Sequence, residues 1–217
     1  TGLPVAETDP AGTVVRYDRD DFGRVLRIVD GTGAVTRFGW TTEGRCAWRT
    51  GPDGNSERWT YDAEGNRTAH VGPTGATTRT GYTAFDLPAV RVNPDGSRTT
   101  YAYDPGLRLT GVTDALGRTW RYERDAAGRV VREVDFDGRE LRYTYDPAGQ
   151  LTARTNGAGE TTEFRYDALG RVVERHAGDR VTTFRYDPVG RIVSATNPDT
   201  TVEYERDARG RVTAETV

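Results

Sequence analysis

Aspartates that recur at a fixed spacing are the residues of this chain best suited to acid–base chemistry. Two of them open the tetrads DPAG (146–149) and DPVG (187–190). A carboxylate in a suitable site can transfer protons or attack a substrate. An aspartate that begins a tight turn also has a local role, because its side chain accepts hydrogen bonds from the turn backbone. Since both tetrads lie in register with many other copies, we assign Asp146 and Asp187 to turns and predict no catalytic residue.

Metal binding and nucleophilic catalysis find no matching pattern in the sequence. His70 and His176 lack a Cys or His at metal-ligand spacing, and we expect both on the surface. The carboxylate runs DFDG (135–138) and DRDD (18–21) do not continue as EF-hand loops. No Ser-His-Asp order and no phosphate-binding loop occurs. The sequence therefore predicts no metal, no cofactor and no enzyme.

An arginine that recurs directly after a glycine could bind an anionic glycan. The same arginine could instead pair with a carboxylate of the adjacent hairpin or stack on an aromatic ring. We favour the structural role, because the position follows a repeat and not a cluster. These arginines are Arg24, Arg45, Arg108, Arg129, Arg171, Arg191 and Arg211.

The composition favours a turn-rich β protein and argues against nucleic acid as a partner. The 217 residues include 26 Gly, 10 Pro, 33 acidic and 30 basic residues, with a net charge of -3. Because the charges are interspersed, the sequence predicts no basic face of the size that phosphate neutralisation needs. The single cysteine, Cys46, excludes an intrachain disulfide, and no apolar run reaches membrane-spanning length.

A fixed period organises the whole chain. The steps between equivalent glycines are 21 residues, then 20 in the last two repeats, with Asp86 and Leu107 filling two slots. A period of this size indicates a repeat architecture of about ten units. The glycines are Gly23, Gly44, Gly65, Gly128, Gly149, Gly170, Gly190 and Gly210.

Each repeat contains a second glycine turn, eleven residues before the first. Tetrads such as NPDG (93–96) and DALG (114–117) match a type I turn whose fourth residue takes a positive φ. Two turns in each repeat leave two segments of about six residues, which is the length of a strand. The repeat is therefore predicted to be a β-hairpin.

Side chains alternate along the first strand of each hairpin. Aromatic residues stand three positions and one position before the turn aspartate, and residues two apart share a face of a strand. The position directly before the aspartate holds Arg19, Arg124 and Arg206 in three repeats. The signature of the repeat consists of Tyr61, Asp62, Gly65, Tyr145, Asp146, Gly149, Tyr166, Asp167, Gly170, Arg171, Tyr186, Asp187, Gly190 and Arg191.

The opposite face of the same strands is predicted to be wet or filled with salt bridges, because arginines recur there. Ten hairpins give about 20 strands, and open sheets rarely exceed about 10 without curling. The sequence thus predicts an all-β fold of tandem β-hairpin repeats of 20–21 residues in one long curved, spiralling antiparallel sheet. Local irregularity is expected near residues 80 to 110, where Thr83, Asp86 and Leu107 break the pattern. The recurring arginines are Arg16, Arg37, Arg58, Arg79, Arg121 and Arg142.

The YDxxGR core, as in residues 166–171 and 186–191, resembles the YD repeats of Rhs proteins, of insecticidal toxin complex shells and of teneurins. The resemblance covers essentially all 217 residues. It implies a sheet that spirals into a hollow shell, which in bacterial members encloses a C-terminal toxic domain released by an aspartyl protease activity. The tetrads at Asp146 and Asp187 are similar to that cleavage signature but occupy ordinary turn slots.

Two functions stay open at this stage. The first is a non-enzymatic shell segment of a secreted or contact-delivered bacterial toxin, with further YD repeats and an encapsulated toxin domain as partners. The alternative is a cell-surface adhesion or glycan-binding module. We expect residues 1–217 to form a single array of about ten repeats, cut from a longer protein, that self-associates through open sheet edges.

Overall fold

A computed structural model describes residues 2–217, and within them it contains 21 strands and no helix. No helix of this part of the chain is therefore long and apolar enough to cross a membrane. The strands belong to one antiparallel sheet, which confirms the predicted all-β repeat fold. The first ten strands are β1 (Ala6–Thr8), β2 (Val14–Arg19), β3 (Val25–Val29), β4 (Val35–Trp40), β5 (Cys46–Thr50), β6 (Ser56–Tyr61), β7 (Arg67–Val71), β8 (Thr77–Tyr82), β9 (Pro88–Val92) and β10 (Arg98–Tyr103). The others are β11 (Leu109–Thr113), β12 (Thr119–Arg124), β13 (Val130–Val134), β14 (Glu140–Tyr145), β15 (Leu151–Asn156), β16 (Thr161–Tyr166), β17 (Val172–Ala177), β18 (Arg180–Tyr186), β19 (Ile192–Thr196), β20 (Thr201–Arg206) and β21 (Val212–Thr216).

Two compact units divide the chain. The first unit comprises Thr1–Ala102 with Thr113–Leu116, and the second comprises Tyr103–Val112 with Gly117–Val217. In the first unit each strand from β1 to β10 pairs with the next along the sequence. In the second unit the same order holds from β12 to β21. Both units are therefore built by adding one hairpin after another.

The main turn, which contains the YDxxGR core, has the geometry that its sequence predicts. In the copy at 167–171 the N–H of Gly170 donates to the carbonyl of Asp167 at 3.0 Å, and the N–H of Asp167 donates to the carbonyl of Arg171 at 2.9 Å. Gly170 has φ of 77°. This is a type I turn followed by a left-handed residue, a common three-residue hairpin connection. Only glycine adopts that left-handed position without a steric cost.

A β-bulge follows the main turn on the second strand of each hairpin. In β16 and β17, Tyr166 pairs with Val172 and Arg165 pairs with Glu174, so that Val173 is the extra residue. The same one-residue shift separates β14 from β15 and β18 from β19. A bulge leaves one residue out of the ladder and increases the local twist. Backbone beside the bulge is thus open to contacts from another repeat.

The expected irregularity near residues 80 to 110 is wrong for the hydrogen-bonding pattern. Thr83 replaces the turn aspartate, and its hydroxyl accepts from the N–H of Leu87 at 3.2 Å. Asp86 and Leu107 replace the turn glycine and take φ of 59° and 62°, the left-handed region that side chains disfavour. At Asp86 a hydrogen bond from Asn66 of the preceding repeat, 2.7 Å, helps to hold that conformation. The turns keep their form because the surrounding ladder imposes it.

The short repeats at the end of the chain lose their residue in the second turn. The turn between β17 and β18 contains only Gly178 and Asp179, with φ of 58° at the glycine. Between β19 and β20 the N–H of Asn197 donates to the carbonyl of Thr200 at 2.9 Å. Both main turns keep their five-residue form. The period is therefore adjusted on the edge of the sheet opposite the YDxxGR turns.

The two faces of the sheet differ as the alternation predicts. In β16, Phe164 and Tyr166 are half-buried, whereas Glu163 and Arg165 are exposed. Among residues 2–217, however, no apolar side chain is fully buried, and the one buried polar side chain is Ser194, 5% exposed. Burial of rings alone therefore does not account for how the repeats hold together.

We predict that Gly170→Val destabilises its unit by about 1–2 kcal/mol, because valine must adopt a left-handed backbone. A side chain there would also meet Gln150 Nε2, 3.1 Å from an added Cβ. The measurement is the free energy of unfolding in urea. Gly72→Ala is the matched control, since Gly72 has no left-handed φ and its nearest neighbour atom would lie 3.7 Å away. Equal stability of both variants would contradict the turn geometry.

Candidate functional site

A hydrogen bond between successive repeats occupies the position of the tyrosine in YDxxGR. The hydroxyl of Tyr166 donates to the carbonyl of Leu151 at 2.8 Å, and Leu151 lies beside the bulge of the preceding hairpin. Other repeats do the same across 14 or 15 residues of sequence. We call this contact, with the arginine contacts described below, the repeat latch. The further pairs are Tyr61 with Cys46 at 2.9 Å, Tyr82 with Arg67 at 3.1 Å, Tyr145 with Val130 at 2.7 Å and Tyr186 with Val172 at 2.7 Å.

Residues that break the tyrosine pattern in sequence make the same bond in the structure. Arg124 donates to the carbonyl of Leu109 and Arg206 to that of Ile192, both at 3.2 Å. Arg19 donates to the carbonyl of Pro4 at 3.2 Å, and the indole N–H of Trp40 donates to Val25 at 2.8 Å. These residues share a long side chain that ends in a donor. Sequence reasoning missed the equivalence because it sorted the column by aromatic character and not by hydrogen-bonding capacity.

The arginine that follows the turn glycine makes contacts both within its repeat and with the next one. Arg171 Nε donates to Asp167 Oδ2 at 2.7 Å, so its carboxylate partner lies in its own turn. The expectation of a carboxylate on the adjacent hairpin is wrong, because the aspartate four residues earlier is within direct reach. The guanidinium carbon of Arg171 lies 4.8 Å from the ring centroid of Tyr186, and Nη1 donates to the carbonyl of Asp187 at 3.4 Å.

Other repeats reproduce this double contact. Arg129 bonds Asp125 Oδ2 at 2.7 Å, lies over the ring of Tyr145 at 4.8 Å and donates to the carbonyl of Asp146 at 3.2 Å. Arg24 bonds Asp20 Oδ2 at 2.6 Å and donates to the carbonyl of Thr41 at 3.0 Å. A cation over an aromatic face contributes about 0.5–1 kcal/mol at exposed sites. The arginine therefore connects one turn to the next through a ring and a carbonyl.

The turn aspartates are engaged as acceptors. Asp187 Oδ1 accepts from the N–H groups of Val189 at 3.0 Å and Arg191 at 2.8 Å, and Oδ2 accepts from Arg191 Nε at 2.7 Å. The backbone hydrogen bond from Arg191 contributes most to a lowered pKa of this carboxyl group. In Asp167 the side-chain hydrogen bond from Arg171 has that role, and the pKa is lowered as well. These carboxylates are ionised capping groups, which are poorly suited to donate a proton.

The signature residues all lie at main turns, where the structure brings each tyrosine against the preceding repeat. Asp62 Oδ1 accepts from the N–H groups of Gly65 at 2.8 Å and Asn66 at 2.7 Å, and Asp146 Oδ1 accepts from that of Gln150 at 2.8 Å. Asn66 and Gln150 stand where other repeats have arginine. The turn glycines have left-handed backbones, with φ of 95° at Gly65, 87° at Gly149 and 88° at Gly190.

A glutamate on the aromatic face holds two rings in the second unit. Glu133 Oε1 accepts from the hydroxyl of Tyr143 at 2.6 Å, and Oε2 accepts from the indole N–H of Trp120 at 3.2 Å. Burial, followed by this hydrogen bond, raises the pKa of Tyr143 to about 12. Trp120 and Glu133 also line an open cleft of about 990 Å³. Because both carboxylate oxygens have partners, the cleft offers no free acid at this position.

The two histidines are half-buried and not fully on the surface, so that expectation is wrong. His70 stacks on Trp59 with a centroid distance of 5.4 Å, and its Nε2 lies 3.3 Å from Glu57 Oε1 without hydrogen-bond geometry. His176 Nε2 lies 2.9 Å from Glu174 Oε2. Neighbouring strands place these partners beside the imidazoles, a proximity that linear spacing does not reveal. Within residues 2–217 no group of three or more potential ligands could hold a metal ion.

Comparison with known proteins identifies the repeat. A family model described as RHS Repeat matches residues 1–35, 61–97, 106–140, 137–161, 145–182, 166–202 and 186–217, well over half of the sequence. The chain belongs to the RHS repeat family. Comparison with curated protein sequences gives no match.

Solved structures share the fold of this RHS repeat chain. The crystal structure of TcdB2-TccC3-Cdc42 is similar over 99% of the chain, with a TM-score of 0.81 and 18% identity. That of TcdB2-TccC3 gives a TM-score of 0.80 at 18% identity, again over 99% of the chain. A third, TcdB2-TccC3 without its hypervariable C-terminal region, gives 0.81 and 19% over the same share. The RHS repeat chain spans only 13–14% of the length of these structures.

We predict that Tyr166→Phe lowers the free energy of unfolding by about 0.5–1.5 kcal/mol, because the variant leaves the Leu151 carbonyl without its donor. Urea denaturation of the purified chain measures the change. Tyr204→Phe serves as the control, since the Tyr204 hydroxyl makes no hydrogen bond within residues 2–217. A cost that is the same for both variants would show that the hydroxyl contact to the preceding repeat adds nothing.

We further predict that Tyr143 ionises last among the tyrosines, at a pKa of about 12. Because folding raises this pKa above the ordinary value of 10.0, its contribution to stability is complete below about pH 10 and is lost as the pH rises through about 12. NMR titration of labelled tyrosine ring carbons measures the transition. Glu133→Gln removes the neighbouring charge and should lower the transition, while an unchanged value would contradict the assigned contact.

Proposed function

We propose that this chain is a non-enzymatic segment of a YD-repeat shell that encloses or presents a C-terminal toxin domain in a secreted or contact-delivered bacterial toxin. The observation that supports the proposal is the repeat latch, which joins successive hairpins within each unit without a fully buried apolar core. A wall made in this way lengthens by adding repeats and needs no second layer. The fold shared with TcdB2-TccC3 supports the same conclusion, and one of those structures lacks a hypervariable C-terminal region by its own description.

The partners follow from how the sheet is built. We propose that the outer sides of β1 and β21 pair with further YD repeats of a parent protein, and that the exposed chain self-associates through the same edges when those repeats are missing. A curved wall, closed by additional repeats, would surround the toxin domain. The location that fits this role is outside the producing cell, as a secreted or surface-displayed protein.

The aromatic columns give little support to the alternative, an adhesion module that stacks sugars on them. Tyr145 and Tyr166 are half-buried, and their hydroxyls donate to backbone carbonyls of the preceding repeat. Tyr143 donates to Glu133 at 2.6 Å. Rings that are held in this way have limited surface to offer a sugar. The enclosing function is therefore the one that the geometry of these columns favours.

Limited proteolysis of the full-length parent protein tests the enclosure. We expect a C-terminal domain, followed by a terminal epitope tag, to survive protease far longer within the parent than when it is expressed alone. The triple variant Tyr145→Phe, Tyr166→Phe, Tyr186→Phe weakens three latches and should shorten that survival. Tyr204→Phe is the control. Equal cleavage of the domain alone and within the intact parent would refute enclosure, as would a parent that ends in repeats.

A further inference from the structure

One face of the first unit carries six strand arginines and a single strand acid. The registers place Arg16, Arg37, Arg58 and Arg79 on the face opposite the rings, and the neighbouring strands add Arg27 and Arg98. The acid is Asp18, which lies opposite Arg27. We call this surface the arginine face. Equivalent strands of successive hairpins are about 9.5 Å apart, so the arginines form a regular row.

Ion pairs within the chain do not account for these arginines. Arg27 pairs with Asp18 at 3.0 Å. The remaining five are exposed and have neither an ion pair nor a hydrogen bond to any residue from 2 to 217. Arg27 and Arg37 lie directly opposite each other on adjacent strands, an arrangement that destabilises a sheet. The fold therefore gains little from this concentration of positive charge.

The second unit uses the same repeat without such a concentration. On its corresponding face Arg132 pairs with Glu123 and with Glu140, the latter at 2.7 Å, and Arg165 lies 3.4 Å from Glu174. The hydrogen bond from Arg132 lowers the pKa of Glu140 to about 2, as expected for a stable ion pair. The whole chain has a net charge of -3, so the excess of arginines is local to one face. It is not a property of the repeat itself.

A tryptophan lies within the arginine face. Trp48 pairs with Gly39 on one side and with Arg58 on the other, and the residue is 38% exposed. Its ring lies across Gly39, where an added Cβ would come within 1.9 Å of the indole Nε1. Glycine thus lets the indole lie flat on the backbone of the adjacent strand. No other aromatic ring within the described residues stacks on it.

We propose that the arginine face binds an acidic linear polysaccharide, with a sugar ring stacked on Trp48 and its sulfate or carboxylate groups paired with Arg37 and Arg58. A guanidinium group forms two parallel hydrogen bonds with such an oxyanion. A row of arginines lets one extended chain engage several sites at once, which raises the overall affinity. A nucleic acid fits less well, because single strands stack successive bases on several aromatic side chains and this face offers one.

Titration of the purified chain with a heparin hexasaccharide, followed by calorimetry and by Trp48 fluorescence, tests the proposal. We expect the double variant Arg37→Gln, Arg58→Gln to weaken binding about tenfold. Trp48→Ala should weaken it about fivefold through lost stacking. The matched control is Arg121→Gln, which changes an exposed arginine of the same repeat slot in the second unit and should leave binding unchanged. All four positions are at the surface, and melting curves establish that the variants are folded.

Other probes decide between the partner classes. Polyphosphate carries charge without sugar rings and should bind more weakly than the hexasaccharide, without dependence on Trp48, and neutral dextran should not bind. Equal binding of polyphosphate and hexasaccharide, or no effect of Trp48→Ala, would overturn the proposal in favour of a general attraction between charges. Tighter binding of single-stranded DNA, an equal loss in Arg121→Gln, or no binding of the hexasaccharide would overturn it as well. None of these outcomes depends on whether a parent protein encloses a toxin.

Discussion

A sheet without a fully buried core must hold its repeats together through specific bonds, and this constraint explains most of the chain. Each main turn is followed by a bulge, which takes one residue out of the ladder and exposes nearby backbone. The side chain directly before the turn aspartate of the next repeat fills that place by donating to a carbonyl beside the bulge, as Tyr186 does to Val172 at 2.7 Å. A buried or half-buried carbonyl without a donor costs free energy. The bulge and the tyrosine therefore depend on each other, and the repeat requires both.

The hairpins, their period and their two faces could be predicted from the sequence because they are local. Turn residues such as Gly170 and strand alternation such as Phe164 with Tyr166 act within a few residues. The latch could not be predicted in this way, because its partners are 14 or 15 residues apart and belong to different hairpins. A search for any donor-ended side chain before the turn, regardless of class, would have grouped Arg124 and Trp40 with the tyrosines. The missed signal was chemical and not periodic.

The carboxylates show the same division between local and non-local information. Turn capping by Asp167 and Asp187 follows from their position, and the structure places their oxygens on turn N–H groups. The partner of the following arginine was assigned to the wrong hairpin, because sequence gives no direction for a long side chain. Likewise His70 stacks on Trp59 of the neighbouring strand, a contact set by register. Reach and register are properties of the folded sheet and are not visible in the spacing.

Arginine is better suited than lysine to the position after the turn glycine. Arg129 binds the carboxylate of Asp125, lies over the ring of Tyr145 and donates to the carbonyl of Asp146 at the same time. A planar guanidinium has five donors and a face that stacks, whereas an ammonium group is a compact point charge. A lysine could keep the ion pair but would lose the ring or the carbonyl. The absence of lysine among the 30 basic residues thus has a physical reason at these positions, since a single side chain there must join two turns.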